Sequence, residues 1–245
     1  MKQHIPNAIT LLNLLCGSIA AIFAVEGFFV YAAFFVFLGI FFDFFDGFFA
    51  RKLKVQSELG LQLDSLADMV TSGLVPGIIM YKLLGLTLNT SEINNDWGVG
   101  SFESNISILP FVGLLITLGS AYRLAKFNID EEQQNYFKGL PTPANALLIL
   151  SLPLIMEFQN SDAMNVIILN KWFLIALTIF SCYILNSNIK LFALKFKDYS
   201  FKGNASRYIF MMLSFITIVV LQFAAIPFVI ILYIFMSVLD NLTTK

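Results

Sequence analysis

Apolar runs long enough to cross a lipid bilayer recur along the whole of this 245-residue chain. A transmembrane helix needs about 20 predominantly apolar residues to cross roughly 30 Å of hydrocarbon. Because hydrocarbon offers no hydrogen-bond partners, each run must satisfy its own backbone, as an α-helix does. A soluble domain is excluded, since 58% of the residues are hydrophobic and only 13% are charged. We therefore predict an all-α fold, a polytopic transmembrane helical bundle.

The apolar runs predict about eight spans in a single integral membrane domain, residues 1–245. Their expected bounds are 6–25, 28–51, 60–86, 106–127, 142–158, 168–187, 205–222 and 225–241. The stretches between them are short, and none has the composition of a separate soluble domain.

The positions of the basic residues predict the orientation of the bundle. If the amino terminus is cytoplasmic, the inside segments hold all of the 15 lysines and arginines except Lys82 and Lys171. Cytoplasmic loops of membrane proteins carry such an excess of positive charge. The abundance of Phe, Ile and Asn indicates an AT-rich bacterial genome. We expect an integral protein of the bacterial cytoplasmic (inner) membrane, with its active site facing the cytoplasm.

Acidic side chains interrupt the apolar pattern near the cytoplasmic ends of the second and third spans. They are Asp43, Asp46, Asp64 and Asp68. One ionised carboxylate at the centre of a membrane helix costs about 2.5–3.5 kcal/mol, so a cluster needs compensating positive charge. Two acidic helix faces can close around hard divalent cations, which prefer oxygen ligands. The sequence therefore predicts a two-metal site for Mg2+ or Mn2+, since all-oxygen sites of this kind accept either ion.

The aspartates are the acidic positions of the pattern D-x2-D-G-x2-A-R-x8-G-x3-D-x3-D. This spacing resembles the signature of the CDP-alcohol phosphotransferases, and every fixed position is matched. Two further segments, residues 5–17 and 122–144, resemble the phosphatidylserine synthase branch of that family. The resemblance covers residues 5–145, the expected catalytic core. Residues 146–245 match only as generic membrane helices.

The resemblance implies transfer of the phosphatidyl group of CDP-diacylglycerol to the hydroxyl of L-serine, with release of CMP. It implies that Asp43, Asp46 and Asp64 are mainly metal ligands, and that Asp68 contacts the second metal and acts as general base. It also implies a homodimer among membrane lipids, with no nucleic acid as partner.

Small and polar residues of the motif and of the first span are the expected nucleotide contacts. They are Gly47, Ala50, Arg51, Gly60, Thr10 and Asn13. Small side chains let a helix backbone approach a pyrophosphate closely. Two alternatives stay open: Arg51 is also explained as an interfacial cation, and Thr10 and Asn13 as hydrogen-bonding partners of a neighbouring helix.

Basic residues after the fourth predicted span are candidates for holding the acceptor alcohol or the lipid phosphate. Arg123 and Lys126 are three residues apart and share a helix face, and Lys138 follows in the next loop. A guanidinium binds a carboxylate or phosphate through two parallel hydrogen bonds. Ordinary positive-inside residues would look the same in the sequence.

Two other functions fit parts of the pattern. A sister enzyme that uses glycerol 3-phosphate, inositol phosphate or another alcohol would share the aspartate motif, because that motif handles the common CDP half. A divalent-cation transporter would also place carboxylates in a membrane. It would spread them along a pore or repeat them in two halves, whereas here they cluster at one end of two helices.

Overall fold

The computed structural model describes residues 4–88, 107–129, 137–191 and 201–243, with residues 137, 201–205 and 243 described by their backbone alone. These ranges are almost entirely helical. The first five helices are α1 (His4–Glu26), α2 (Phe29–Leu53), α3 (Glu58–Asp68), α4 (Val75–Thr87) and α5 (Leu115–Ile129). They are followed by α6 (Thr142–Phe158), α7 (Asp162–Ile168), α8 (Lys171–Asn186), α9 (Phe201–Leu221) and α10 (Ala225–Thr243). Shorter elements are a π-turn at Met69–Leu74, 3-10 turns at Leu109–Leu114 and Gln222–Ala224, and antiparallel strands β1 (Phe137–Lys138) and β2 (Lys190–Leu191).

The link between α2 and α3 is short, because α2 ends in a C-cap and α3 begins with an N-cap. At the end of α2, Lys54 adopts a left-handed conformation with a φ of 55°, and its N–H bonds the carbonyls of Ala50 and Arg51. At the start of α3, Ser57 Oγ accepts the N–H of Gly60 at 3.1 Å. The two acidic helices therefore meet end to end within a few residues.

The helix that begins with α3 continues into α4 through the π-turn. The N–H of Val75 donates to the carbonyl of Val70, five residues back. A π-turn accommodates one extra residue in a helix and is frequent at functional sites. Thr71 and Ser72 lie in this turn and are fully buried.

Helix α1 packs along α2, and both contact the π-turn. Alanines dominate this contact, with Ala20 and Ala24 of α1 in the same buried cluster as Ala32 and Ala33 of α2. Small residues let membrane helices approach closely, and van der Waals contact then replaces the hydrophobic driving force that lipid removes. Helix α6 lies deepest, since every residue from Leu148 to Ile155 is buried.

The predicted bundle is confirmed as a polytopic transmembrane helical fold, but the count of eight spans is not. Each predicted segment is helical within the described residues. In the part of the chain that the structure describes, four helical segments are long and apolar enough to cross a membrane: His4–Glu26, Phe29–Leu53, Glu58–Thr87 and Ser206–Leu242. The pair α7 and α8, bent by 61°, would be a fifth. Helix α6 is apolar but has only 17 residues, fewer than the roughly 20 that a crossing needs.

The last apolar segment folds back on itself. Its 37 residues would extend about 55 Å as one straight helix. However, Ser206 Oγ donates to Asp240 Oδ1 at 2.9 Å, and the rings of Phe210 and Tyr233 lie 5.6 Å apart. Helices α9 and α10 thus form an antiparallel hairpin that turns at the second 3-10 segment.

Polar contacts between helices concentrate at one end of the bundle, which we call the site end. Asn128 Nδ2 on α5 donates to Ser65 Oγ on α3 at 3.0 Å. Asn241 Nδ2 on α10 donates to the carbonyl of Lys190 at 2.6 Å, where β2 pairs with β1. The ends of α2, α5, α8 and α10 and the start of α3 therefore meet at the site end.

Candidate active site

Three of the four predicted aspartates converge between α2 and α3. Asp43, Asp46 and Asp64 each offer a carboxylate oxygen within 4.8 Å of the others. We call them the carboxylate triad. Asp64 Oδ1 is buried and has no hydrogen-bond partner among the described residues. Ionised carboxylates this close repel one another, and a divalent cation among them would offset that repulsion, so the triad could hold a metal with oxygen ligands.

Asp68 lies beside the carboxylate triad rather than within it. It follows Asp64 by one helical turn and is 9% exposed at the end of α3. Asn13 Nδ2 on α1 donates to Asp68 Oδ1 at 3.3 Å. This hydrogen bond fixes the Asp68 carboxylate relative to α1. It engages Oδ1 and not Oδ2.

Thr10 and Asn13 are buried and hydrogen-bonded to the acidic helices. Thr10 Oγ1 lies 2.5 Å from Asp46 Oδ2 and 3.1 Å from the carbonyl of Pro6. With the bond from Asn13 to Asp68, each residue anchors one aspartate to α1. This geometry corresponds to the alternative in which both residues bond a neighbouring helix, and their contact with a nucleotide stays a prediction.

Thr71 is a site residue that the motif did not predict. It is fully buried in the π-turn, and its Oγ1 donates to Asn13 Oδ1 at 2.8 Å. Because Asn13 Oδ1 accepts this bond, the Nδ2 end of the amide is directed towards Asp68. A Cβ built on Gly39 would lie 2.7 Å from Thr71 Cγ2, and one on Gly17 would lie 3.0 Å from Thr71 Cα. The absence of side chains at both glycines therefore makes room for Thr71.

The remaining motif residues, Gly47, Ala50, Arg51 and Gly60, differ in their surroundings. A Cβ built on Gly47 would meet only the Arg51 guanidinium, at 3.7 Å or more. Arg51 is exposed and interacts electrostatically with Asp46, and its contact with a nucleotide stays a prediction. A Cβ on Gly60 would lie 3.3 Å from Asn7 Oδ1, so α1 and α3 are close there. Ala50 is partly exposed on the same helix as Arg51.

The three basic candidates come together in one pocket at the site end. This basic pocket is lined by Arg123, Lys126, Phe127, Lys138, Leu185, Asn186 and Ser187. Arg123 is 8% exposed, and its Nε has no partner among the described residues. A buried guanidinium nitrogen without a hydrogen-bond acceptor favours an anionic group bound beside it. Arg123 also interacts electrostatically with Asp68, so the pocket adjoins the acidic site.

The loop that carries Lys138 is held against the end of α8. Gly139 has a φ of +73°, which favours glycine, and a Cβ there would lie 2.5 Å from the carbonyl of Leu185. The N–H of Gly139 donates to the carbonyl of Ile189 at 2.9 Å, and that of Leu140 to Ile184 at 3.0 Å. The basic pocket therefore includes α8, beyond the 5–145 core that the motifs indicated.

Comparison with known proteins agrees with the geometry of the site. Residues 3–185 match the CDP-alcohol phosphatidyltransferase family. Similar curated proteins carry the name CDP-diacylglycerol–serine O-phosphatidyltransferase. The Bacillus subtilis protein is 34% identical over 154 residues, covering 61% of this chain and 75% of the relative. The Methanocaldococcus jannaschii protein is 30% identical over 164 residues, covering 67% and 66%.

A yeast relative carries the same name. The Saccharomyces cerevisiae protein is 32% identical over 130 residues, which cover 49% of this chain and 40% of the relative. The family match covers α1 to α8 almost entirely and so contains the triad, Asp68 and the residues of the basic pocket up to Leu185. This chain belongs to the CDP-alcohol phosphatidyltransferase family.

Proposed function

We propose that this protein transfers the phosphatidyl group of CDP-diacylglycerol to the hydroxyl of L-serine and releases CMP. The observation that carries the proposal is the carboxylate triad and Asp68 lying next to a basic pocket that contains the buried Arg123. One part suits a metal-bound diphosphate, and the other suits an acceptor with an acidic group. The names of the relatives supply serine as the acceptor.

The carboxylate triad, with Asp68 beside it, would hold two divalent ions, Mg2+ or Mn2+. Ions bound there supply positive charge that orients the diphosphate and offsets charge developing on its oxygens. Gly47 leaves the helix surface open for the nucleotide diphosphate, and Arg51 adds a cation beside it. Ala50 and Gly60 are further proposed contacts of the nucleotide. Thr10 and Asn13, predicted nucleotide contacts, hold Asp46 and Asp68 in place from α1.

Asp68 is the general base of the proposed reaction. It accepts the proton of the serine hydroxyl while the serine oxygen forms a bond to the β-phosphorus of CDP-diacylglycerol. The bond between that phosphorus and the bridging oxygen of CMP breaks, and CMP leaves with this oxygen. A base must lie within hydrogen-bond reach of the hydroxyl, and the bond from Asn13 fixes the carboxylate for this task.

The basic pocket would bind the carboxylate of serine. Arg123 is the anchor, because its guanidinium is buried and its Nε lacks a protein partner in the described structure. Lys126 and Lys138 add positive charge on the same pocket wall. Binding there would place the serine hydroxyl towards Asp68, which interacts with Arg123.

The site end would face the cytoplasm of a bacterium. The described lysines and arginines lie at that end except Lys82 and Lys171, as the positive-inside rule requires of a cytoplasmic side. A homodimer in the cytoplasmic membrane, which family membership implies, is part of the same proposal. Native mass spectrometry from lipid particles would measure the number of subunits.

A phosphorylated acceptor is the second candidate, because three basic side chains in one pocket also suit a phosphate. Purified protein would be given CDP-diacylglycerol, Mn2+ or Mg2+, and one alcohol at a time, with CMP release as the readout. We expect release with L-serine and none with glycerol 3-phosphate or inositol phosphate. Release with a phosphorylated alcohol but not with serine would reject serine as the acceptor. Protein without added alcohol is the control.

A further inference from the structure

Asn186 lines the basic pocket and carries a buried side-chain oxygen without a donor. Its Nδ2 donates to the carbonyls of Gly119 and Cys182, both at 3.1 Å. These two acceptors fix the orientation of the amide, because the reversed amide would place oxygen against both carbonyls. Its Oδ1 is buried and has no hydrogen-bond donor among the described residues. A buried oxygen of this kind favours a ligand that donates a hydrogen bond to it.

The neighbouring Ser187 also offers a hydrogen-bond acceptor. Its hydroxyl donates to the carbonyl of Ile184 at 3.1 Å, so its oxygen offers only lone pairs to the pocket. Both polar side chains at the end of α8 therefore present hydrogen-bond acceptors.

The rest of the pocket has the opposite character. Arg123, Lys126 and Lys138 carry hydrogen-bond donors and no acceptors in their charged forms. The pocket is thus lined by cationic donors and by neutral acceptors. A ligand that satisfies both carries an anionic group and a separate cationic donor. A phosphorylated alcohol offers the first of these groups and lacks the second.

We propose that Asn186 selects an amino-acid acceptor by accepting a hydrogen bond from its α-ammonium group, with Ser187 as a second acceptor. This inference rests on the proposed use of serine and assigns Asn186 as a specificity-determining residue. The carboxylate of the acceptor lies against Arg123, and the ammonium lies against Asn186 Oδ1. The pocket then distinguishes L-serine from an alcohol that has the carboxylate alone.

The test compares L-serine with 3-hydroxypropionate, which has the same hydroxyl and carboxylate but no ammonium. The variant is Asn186→Leu, which removes Oδ1 at similar volume. We expect the ratio of kcat/KM for serine to kcat/KM for 3-hydroxypropionate to fall by about 10- to 100-fold. The loss should appear mainly as a higher KM for serine, with the KM for CDP-diacylglycerol unchanged.

The ratio separates selection from a purely structural role. Asn186→Leu also removes the hydrogen bonds to Gly119 and Cys182, and any resulting shift between α5 and α8 would slow both alcohols alike. Asn165→Leu is the matched control, because Asn165 also has a buried Oδ1 without a partner and lies on α7, away from the pocket. Its ratio should equal that of the parent.

Each outcome has one meaning. If the parent releases CMP with serine and Asn186→Leu keeps the parent ratio, the role of Asn186 is rejected and the proposed function stands. If the parent does not use serine at all, the proposed function is rejected, and this inference with it.

Discussion

The segment that carries Asp64 and Asp68 and the C-terminal hairpin are both apolar, but their surroundings are opposite. The most apolar 18 residues of Glu58–Thr87 have a mean hydropathy of 1.5, and 56% of them are buried. The most apolar 18 residues of Ser206–Leu242 have a mean hydropathy of 2.7, and only 17% of them are buried. The less apolar segment therefore lies inside the protein, and the more apolar one faces outward.

This inversion follows from the solvent. In water, burying an apolar side chain lowers the free energy of the protein. In a bilayer the lipid tails are as apolar as leucine, so burying the same side chain brings no such gain. A polar side chain in a membrane protein avoids lipid by lying between helices, where partners can bond it. Thr71 and Asp68 do so in the first segment, while Phe215 and Val219 in α9 are exposed. Substitutions should therefore have large effects in the first segment and small effects in the hairpin.

The largest contrast is expected between two aspartates at the site end. Asp68→Asn should lower serine-dependent CMP release about 10²- to 10⁴-fold, the usual contribution of a general base, while CDP-diacylglycerol still binds. Asp240→Asn in α10 changes the same group and retains an oxygen for Ser206, so its rate should stay near that of the parent. CMP release and lipid-nucleotide binding measure both effects. Turnover of Asp68→Asn near the parent rate would show that Asp68 is not the base.

A smaller contrast in stability is expected between two glycines, one packed against Thr71 of the buried segment and one in open surroundings on α4. Gly39→Ala would place a methyl group 2.7 Å from Thr71 Cγ2 and 2.8 Å from Asn13 Oδ1, and should destabilise the protein by about 1–3 kcal/mol. Gly85→Ala on α4 meets no atom within 4 Å and should be neutral or stabilising by up to about 1 kcal/mol. Thermal unfolding in detergent measures both. Equal midpoints would mean that the packing around Thr71 can relax.

The smallest contrast concerns two threonines replaced by valine. Thr71→Val keeps the shape of the side chain but removes the donor to Asn13, which should cost about 1 kcal/mol and lower turnover several-fold. Thr217→Val in α9 removes only a bond to the carbonyl of Leu213, four residues back on an exposed face, and should leave turnover unchanged. CMP release at saturating substrate measures the difference. A Thr71→Val rate equal to that of Thr217→Val would show that Asn13 needs no such support.

The sequence predicted the helices well because a bilayer leaves an isolated apolar run little alternative to a helix. It did not predict how many helices cross. Helix α6 is apolar because it lies inside the protein, and α7 and α8 are separated by a bend of 61°. An apolar run has the same appearance in lipid and in a protein core, so hydropathy alone does not separate these cases.

The sequence indicated those parts of the candidate site in which residues of one chemical type stand at a regular spacing. The aspartate pattern indicated the carboxylate triad, and the basic residues after the fourth predicted span indicated the three cations that line the basic pocket. Thr71 was missed because it lies in a π-turn, where a regular 3.6-residue period no longer gives the facing residue. Its one sequence signal was a Thr-Ser pair in an apolar span. Asn186 and Ser187 were missed because they come from a distant helix that carries no motif.

The widened turn after Asp68 also has an evolutionary consequence. Each residue of an α-helix advances the chain by about 100° around the axis. Because the π-turn absorbs one residue without that rotation, loss of a single codon within Met69–Leu74 would restore a regular helix and leave α3 and α4 near their present orientations. The same loss between Asp64 and Asp68 would rotate one carboxylate by about 100° relative to the other, so gaps in related genes should fall at the turn and not between the aspartates.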